Sequence, residues 1–131
     1  MRTYTLGTMR TFKTKNFTVI ADAIEENDPD FSFDDTGETQ DKVNSGEWMC
    51  FTARVRVLLH GREMSADYLG NCIYASLGAF MDHKECGKQN KEYAAQGKEG
   101  RCRSYFSDMI HTAIASARKT LKEEKTIKIR L

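Results

Sequence analysis

The chain has 131 residues, is 40% hydrophobic and 30% charged, and carries a net charge of +1. That length suits one domain with a real hydrophobic core, and the composition excludes collagen-like or wholly disordered classes. No apolar run approaches the ~18 residues of a membrane span, and MRTYTLGTMR lacks the apolar stretch of a secretory signal, so no membrane association is expected.

The near-neutral total hides a bipolar charge distribution. Residues 1–21 sum to +4, residues 22–41 to −9, residues 42–81 to +1 and residues 82–131 to +5. Blocks of this kind govern partners and encounter rates rather than fold.

In chain order, Thr3–Lys13 is rich in Thr and aromatics and reads as a strand. A polar Thr14-Lys15-Asn16 link then leads into Phe17-Thr18-Val19-Ile20-Ala21, which predicts a hairpin. Phe17, Val19, Ala21 and Ala23 are expected to face the core, with Thr18 and Asp22 outward. The acidic segment follows as an insertion of about 25–45. Trp48–Leu59 is the clearest strand, because Met49, Phe51, Ala53, Val55 and Val57 alternate with Cys50, Thr52, Arg54 and Arg56. His60-Gly61 suits a two-residue turn into a strand near Arg62–Leu69, which Gly70-Asn71 should end.

Beyond that point the pattern is helical. Cys72, Ile73, Ser76, Leu77, Phe80 and Met81 fall at helical spacing. Residues 84–101 are polar and glycine-bearing, which suits a connection. Ser104 is a candidate N-cap for a helix over roughly 105–122, with an apolar stripe of Phe106, Met109, Ile110, Ala113, Ile114, Ala117 and Leu121. Thr126–Leu131 alternates Ile127, Ile129 and Leu131 with Lys128 and Arg130, which predicts a short basic edge strand. The expected fold is a single α+β domain over 1–131: a four- to five-stranded, mostly antiparallel sheet with two helices packed on one face.

The acidic segment is the foremost functional candidate. Asp28, Asp30, Ser32 and Asp34 occupy the first ligand positions of a calcium loop, but Phe33 stands where that loop needs Gly and Thr39 where it needs Glu. As a nucleic-acid mimic, nine charges along 20 extended residues give one per ~7–8 Å, about half the density of a DNA strand, so mimicry requires folding or neighbouring acids. As a docking surface, the segment places Phe31 and Phe33 as apolar anchors among steering carboxylates. A plain solvated loop is the competing reading, set against the rule that loops this long tend to be functional or disordered. The expected partner-binding residues are therefore Asp28, Asp30, Phe31, Phe33, Asp34, Asp35 and Glu38.

Three other constellations bear weighing. Arg54, Arg56, Lys84, Lys88, Lys91, Arg101 and Arg103, with the C-terminal Lys128 and Arg130, form an alternative nucleic-acid surface, diluted by Glu85, Glu92 and Glu99. His83, Cys86, Cys102 and His111 are a weak zinc set without a Cys-x2-4-Cys pair. Cys72 with His60 or His83 can be drawn as a nucleophile and base, but no phosphate loop, metalloprotease motif or nucleophile elbow is present, so neither enzymatic activity nor a cofactor is expected.

The stretches TYTLGTMRTFKTKNFTVIADAIEE, DYLGNCIY, FMDHKECGKQN and GKEGRCRSYFSDMI together resemble a family of small, largely uncharacterised proteins of tailed phages and prophages. The resemblance runs along nearly the whole chain outside the acidic middle. It implies a phage or mobile-element accessory protein acting in the host bacterial cytoplasm. By analogy with other small phage accessory proteins, its expected action is to bind and disable a host protein, with restriction and CRISPR complexes as the foremost targets.

Overall fold

The computed structural model describes residues 4–82, 91, 95–97 and 104–130, with side chains as far as residue 126. Four strands, β1 (Thr5–Lys13), β2 (Thr18–Glu25), β3 (Met49–Leu59) and β4 (Arg62–Tyr74), form an antiparallel sheet in sequence order, so β1 and β4 are its edges. Helix α1 (Glu38–Asn44) lies between β2 and β3, and α2 (Leu77–Met81) and α3 (Tyr105–Arg130) follow β4. The α+β fold expected from the sequence is the fold observed.

The alternation read in the sequence sets the two faces of the sheet. Phe17, Val19, Ala21 and Ala23 are buried with Phe51, Ala53, Val55 and Val57. Against them pack Phe80 of α2 and the α3 stripe Phe106, Met109, Ile110, Ala113 and Ala117. Phe80 is the hub of an aromatic cluster, edge-on to Phe51, Tyr74 and Phe106 with ring centroids 5.6, 5.1 and 5.9 Å away. Such geometry sets the negative ring face against a positive edge and adds about 1 kcal/mol per pair beyond area burial. Ser104 Oγ accepts from the Ser107 N–H at 3.1 Å, which is the expected N-cap of α3. Ser76 caps α2 in the same way through the Ala79 N–H.

Five expectations are corrected. Thr126 and the residues after it continue α3 as far as Arg130, so the sheet has no fifth strand there. Alternation over so few residues cannot outweigh the helix-favouring Leu121–Lys125 run before it, which has no Gly or Pro to stop propagation. Thr126 Oγ1 donates to the Lys122 carbonyl one turn back at 3.0 Å. Gly70-Asn71 does not end β4: it forms a bulge, with Phe51 opposite Cys72 and Ala53 opposite Leu69. Asn71 takes the left-handed conformation at φ 54°, which Asn tolerates better than most residues. Cys72 and Ile73 consequently belong to β4, and only the second half of the 72–81 pattern is helical. Asp22 is not outward in solvent but 3% exposed. Finally, the acidic insertion carries a short helix, α1, that its polar sequence did not announce.

The β3–β4 turn is His60-Gly61, as expected, with φ 50° and 81°. Both central residues have positive φ, as the hairpin turn matched to strand twist requires. A Cβ at Gly61 would meet nothing within 4 Å, so only backbone strain opposes a side chain there. Gly61→Ala should lower the unfolding free energy by about 1 kcal/mol, and His60→Asn should leave it equal or higher, both read from urea midpoints at unchanged slope.

Candidate functional site

The acidic segment is held down by its own carboxylates. Asp22, on β2 opposite Arg54 of β3, accepts from Arg54 Nε at 2.8 Å and from Arg54 Nη2 at 2.7 Å, a two-point pairing of carboxylate and guanidinium. Arg56 Nη2 adds a longer contact at 3.5 Å. The pairing holds the Arg54 guanidinium above its ordinary pKa, chiefly through the Asp22 hydrogen bond. Removing one partner from such a shielded pair strands the other, which costs far more than the pair contributes net.

Four residues on, Glu26 gathers three donors. Its Oε2 accepts from the Asn71 N–H at 2.7 Å and from Thr52 Oγ1 at 2.9 Å, and its Oε1 accepts from the Asp28 N–H at 3.2 Å. The bulge supplies the first of these donors. A Cβ on Gly70 would stand only 3.1 Å from Glu26 Oε2, so glycine there leaves room for the carboxylate. The Asn71 side chain completes the tie by donating to the Asp30 carbonyl at 2.8 Å and accepting from the Asp30 N–H at 3.0 Å.

These ties carry residues 26–31 from the end of β2 to the β4 bulge. Beyond them Asp30 accepts from the Ser32 N–H, and Asp34 accepts from the Gln40 N–H at 3.0 Å. Asp34 thereby caps α1, whose own N-cap position is Gly37 and supplies no side-chain oxygen. The helix ends over Trp48, with Lys42 Nζ 4.3 Å from the ring centroid.

The segment so placed walls an open groove of about 460 Å³. It is lined by Phe33, Thr39 and Trp48, by the unbroken run Leu69–Tyr74, and by Tyr105 at the start of α3. Successive strand side chains point to opposite faces. A cavity lined by six consecutive strand residues therefore runs along the margin of β4, not over one face of the sheet. Phe33 and Tyr105 are 58% and 65% exposed. Tyr74 joins the groove to the aromatic core, and burial raises its phenol above the usual value.

The expected site residues divide accordingly. Phe33 lines the groove, whereas Phe31 is half-buried. Asp30 and Asp34 spend oxygens on backbone N–H groups, and Glu38 pairs with Lys42 at 3.6 Å. Asp28 and Asp35 are exposed and make no side-chain hydrogen bond or ion pair among the described residues. Arg54 and Arg56 of the alternative basic surface are committed to Asp22. Lys91 is exposed, and Lys84, Lys88, Arg101 and Arg103 lie outside the described residues.

Of the zinc set, His83, Cys86 and Cys102 also lie outside the described residues, and His111 is exposed on α3. Among the described residues no group of three His, Cys, Asp or Glu could hold a metal ion. The near-calcium positions Asp30 and Asp34 are turned onto backbone donors, as noted. Cys72 is buried, donates to the Leu69 carbonyl at 3.2 Å and has its thiol pKa raised by burial. His60 sits at the other end of the β3–β4 hairpin, roughly 26 Å away at the rise of a strand.

Trp48, Tyr74 and Tyr105 carried no sequence signal as a site. They stand far apart in the chain and meet only because Tyr74 pairs with Met49 across the sheet and α3 starts beside them. The lone tryptophan next to an acidic block was the one available hint. Among the described residues no helix is long and apolar enough to cross a membrane. No family model, curated protein or solved structure matches the chain.

Asp22→Ala should lower the unfolding free energy by about 3 kcal/mol, measured by denaturant titration, because it strands Arg54 and Arg56. Replacing Asp22, Arg54 and Arg56 together by apolar residues of similar size should recover most of that loss. Glu26 has its pKa lowered from the ordinary 4.5, first by the Asn71 N–H bond. A depressed folded-state value means that the tie contributes its stability above the unfolded pKa and loses it as pH falls through the folded one. The Asn71 amide resonance should therefore titrate with a midpoint below 4.5, and Glu26→Gln should abolish that transition.

Proposed function

We propose that this chain is a phage or mobile-element accessory protein that binds a host protein and inhibits it, through the acidic surface of residues 25–41. The preferred targets are nucleic-acid-handling defence complexes of the restriction or CRISPR type, acting in the host cytoplasm. One observation carries the reading: a segment with no basic residue is fastened to the sheet, yet keeps exposed carboxylates beside an exposed aromatic, Phe33. Fastening lowers the ordering cost on binding, which a free loop would incur in full.

The roles follow from the contacts. Asp28, Asp35 and Glu38 steer a basic partner surface, with Asp30 and Asp34 adding charge while they hold the backbone. Phe33 anchors. Phe31 is half-buried and offers less surface to a partner than Phe33. A partner built to grip nucleic acid offers the matching lysines and arginines. The alternative, direct nucleic-acid binding, is weakened because Arg54 and Arg56 are both engaged by Asp22, which leaves the three side chains a net charge of only +1.

The test is capture of partners from a host lysate, identified by mass spectrometry, followed by kinetics with the partner found. The variant Asp28→Asn/Asp35→Asn/Glu38→Gln leaves the α1 cap at Asp34 intact. It should slow association on the order of tenfold at low salt and flatten the salt dependence, while dissociation changes little. Full association rate and undiminished inhibition in that variant would sink the acidic-surface reading.

A further inference from the structure

Resting on that reading, we infer that the groove along β4 is the seat of an extended, arginine- or lysine-bearing segment of the partner protein. Three features of the groove point to this occupant. It is lined by Leu69–Tyr74 of an edge strand, and apart from the Asn71 N–H and the Leu69 carbonyl, which Glu26 and Cys72 engage, an edge strand offers main-chain donors and acceptors to a further strand. Four aromatic residues line it, Phe33, Trp48, Tyr74 and Tyr105, and they suit alternate side chains of an extended peptide.

Around it acids outnumber the one nearby base, Lys42. Phe33 and Thr39 come from a stretch, residues 25–41, with eight acids and no base, and Glu47 adjoins Trp48. A cation is therefore drawn to the rim, whereas a phosphate chain is repelled despite the stacking surfaces. The chain supplies its own precedent: the Lys42 ammonium stands 4.3 Å from the Trp48 ring centroid, so this wall already receives a cation. An arginine from the partner, planar and weakly hydrated, makes contacts of that kind with aromatic rings at lower desolvation cost. The volume of about 460 Å³ lies within the range of pockets that take specific ligands.

Trp48 is the sole tryptophan and lines the groove, so its emission reports occupancy. The probes are a short peptide alternating arginine and leucine, its aspartate–leucine counterpart and a single-stranded oligonucleotide of similar length. The arginine peptide should shift Trp48 emission saturably and the other two should not. Tyr105→Ala and Phe33→Ala should each weaken that peptide by about tenfold or more, with circular dichroism and urea midpoint unchanged; if Tyr105→Ala unfolds, Tyr105→Phe and Tyr105→Lys replace it, of which only the lysine variant should lose binding.

Tyr105 lies outside the acidic segment, which separates the two ideas. If Tyr105→Ala captures the host partner as well as the parent protein does, while the acidic triple variant fails, the groove is not the seat and the acidic surface alone binds. Loss of capture in Tyr105→Ala with the acidic segment intact supports the groove. An emission response to the oligonucleotide and not to the arginine peptide overturns it.

Discussion

The course of the acidic segment depends on one carboxylate. Glu26 accepts from Thr52 on β3, from the Asn71 N–H at the β4 bulge and from the Asp28 N–H. With those donors filled, a chain leaving β2 cannot swing into solvent; it is drawn across β3 to the far edge of the sheet. The bulge and the carboxylate need each other. Gly70 gives the space and Asn71, in its left-handed conformation, contributes its N–H to Glu26 and its side chain to Asp30. Asp22 secures the strand just before this point through Arg54 and Arg56.

This arrangement changes what the nine acids mean. Some of them are structural: Asp22, Glu26, Asp30 and Asp34 hold strands, a bulge, a turn and a helix start. Others, such as Asp28 and Asp35, stay exposed. A charged block that would repel itself as a free coil is thus held by backbone N–H groups and two arginines. Each fixed N–H dipole offsets the desolvation of the oxygen it meets, so the segment packs without an apolar interior of its own.

The groove inherits its shape from the core. Tyr74 belongs both to the cluster around Phe80 and to the groove wall, and Tyr105 directly precedes the buried Phe106. Tyr74, packed against Phe51 and Phe80, has little rotamer freedom left to lose on contact with a partner, which favours recognition over mere exposure.

Local periodicity by itself determined the strands β1 to β3, the hairpin turn at His60-Gly61, the Ser104 cap, the α3 stripe and the core-facing residues of β2 and β3. Those features follow from neighbours within one turn or one pleat. Its failures were at Gly70-Asn71, where the same residues that break a strand also build a bulge, and at residues 126–130, where a short alternation met a propagating helix. The acidic segment was legible as a block of charge with two aromatics. Which acids stay exposed, and that Phe33 lines one groove with Trp48, Tyr74 and Tyr105, was decided only by tertiary structure. The reason is that these contacts depend on sheet order and register, which bring residues 26 and 71, or 33 and 105, together across spans that no local pattern encodes.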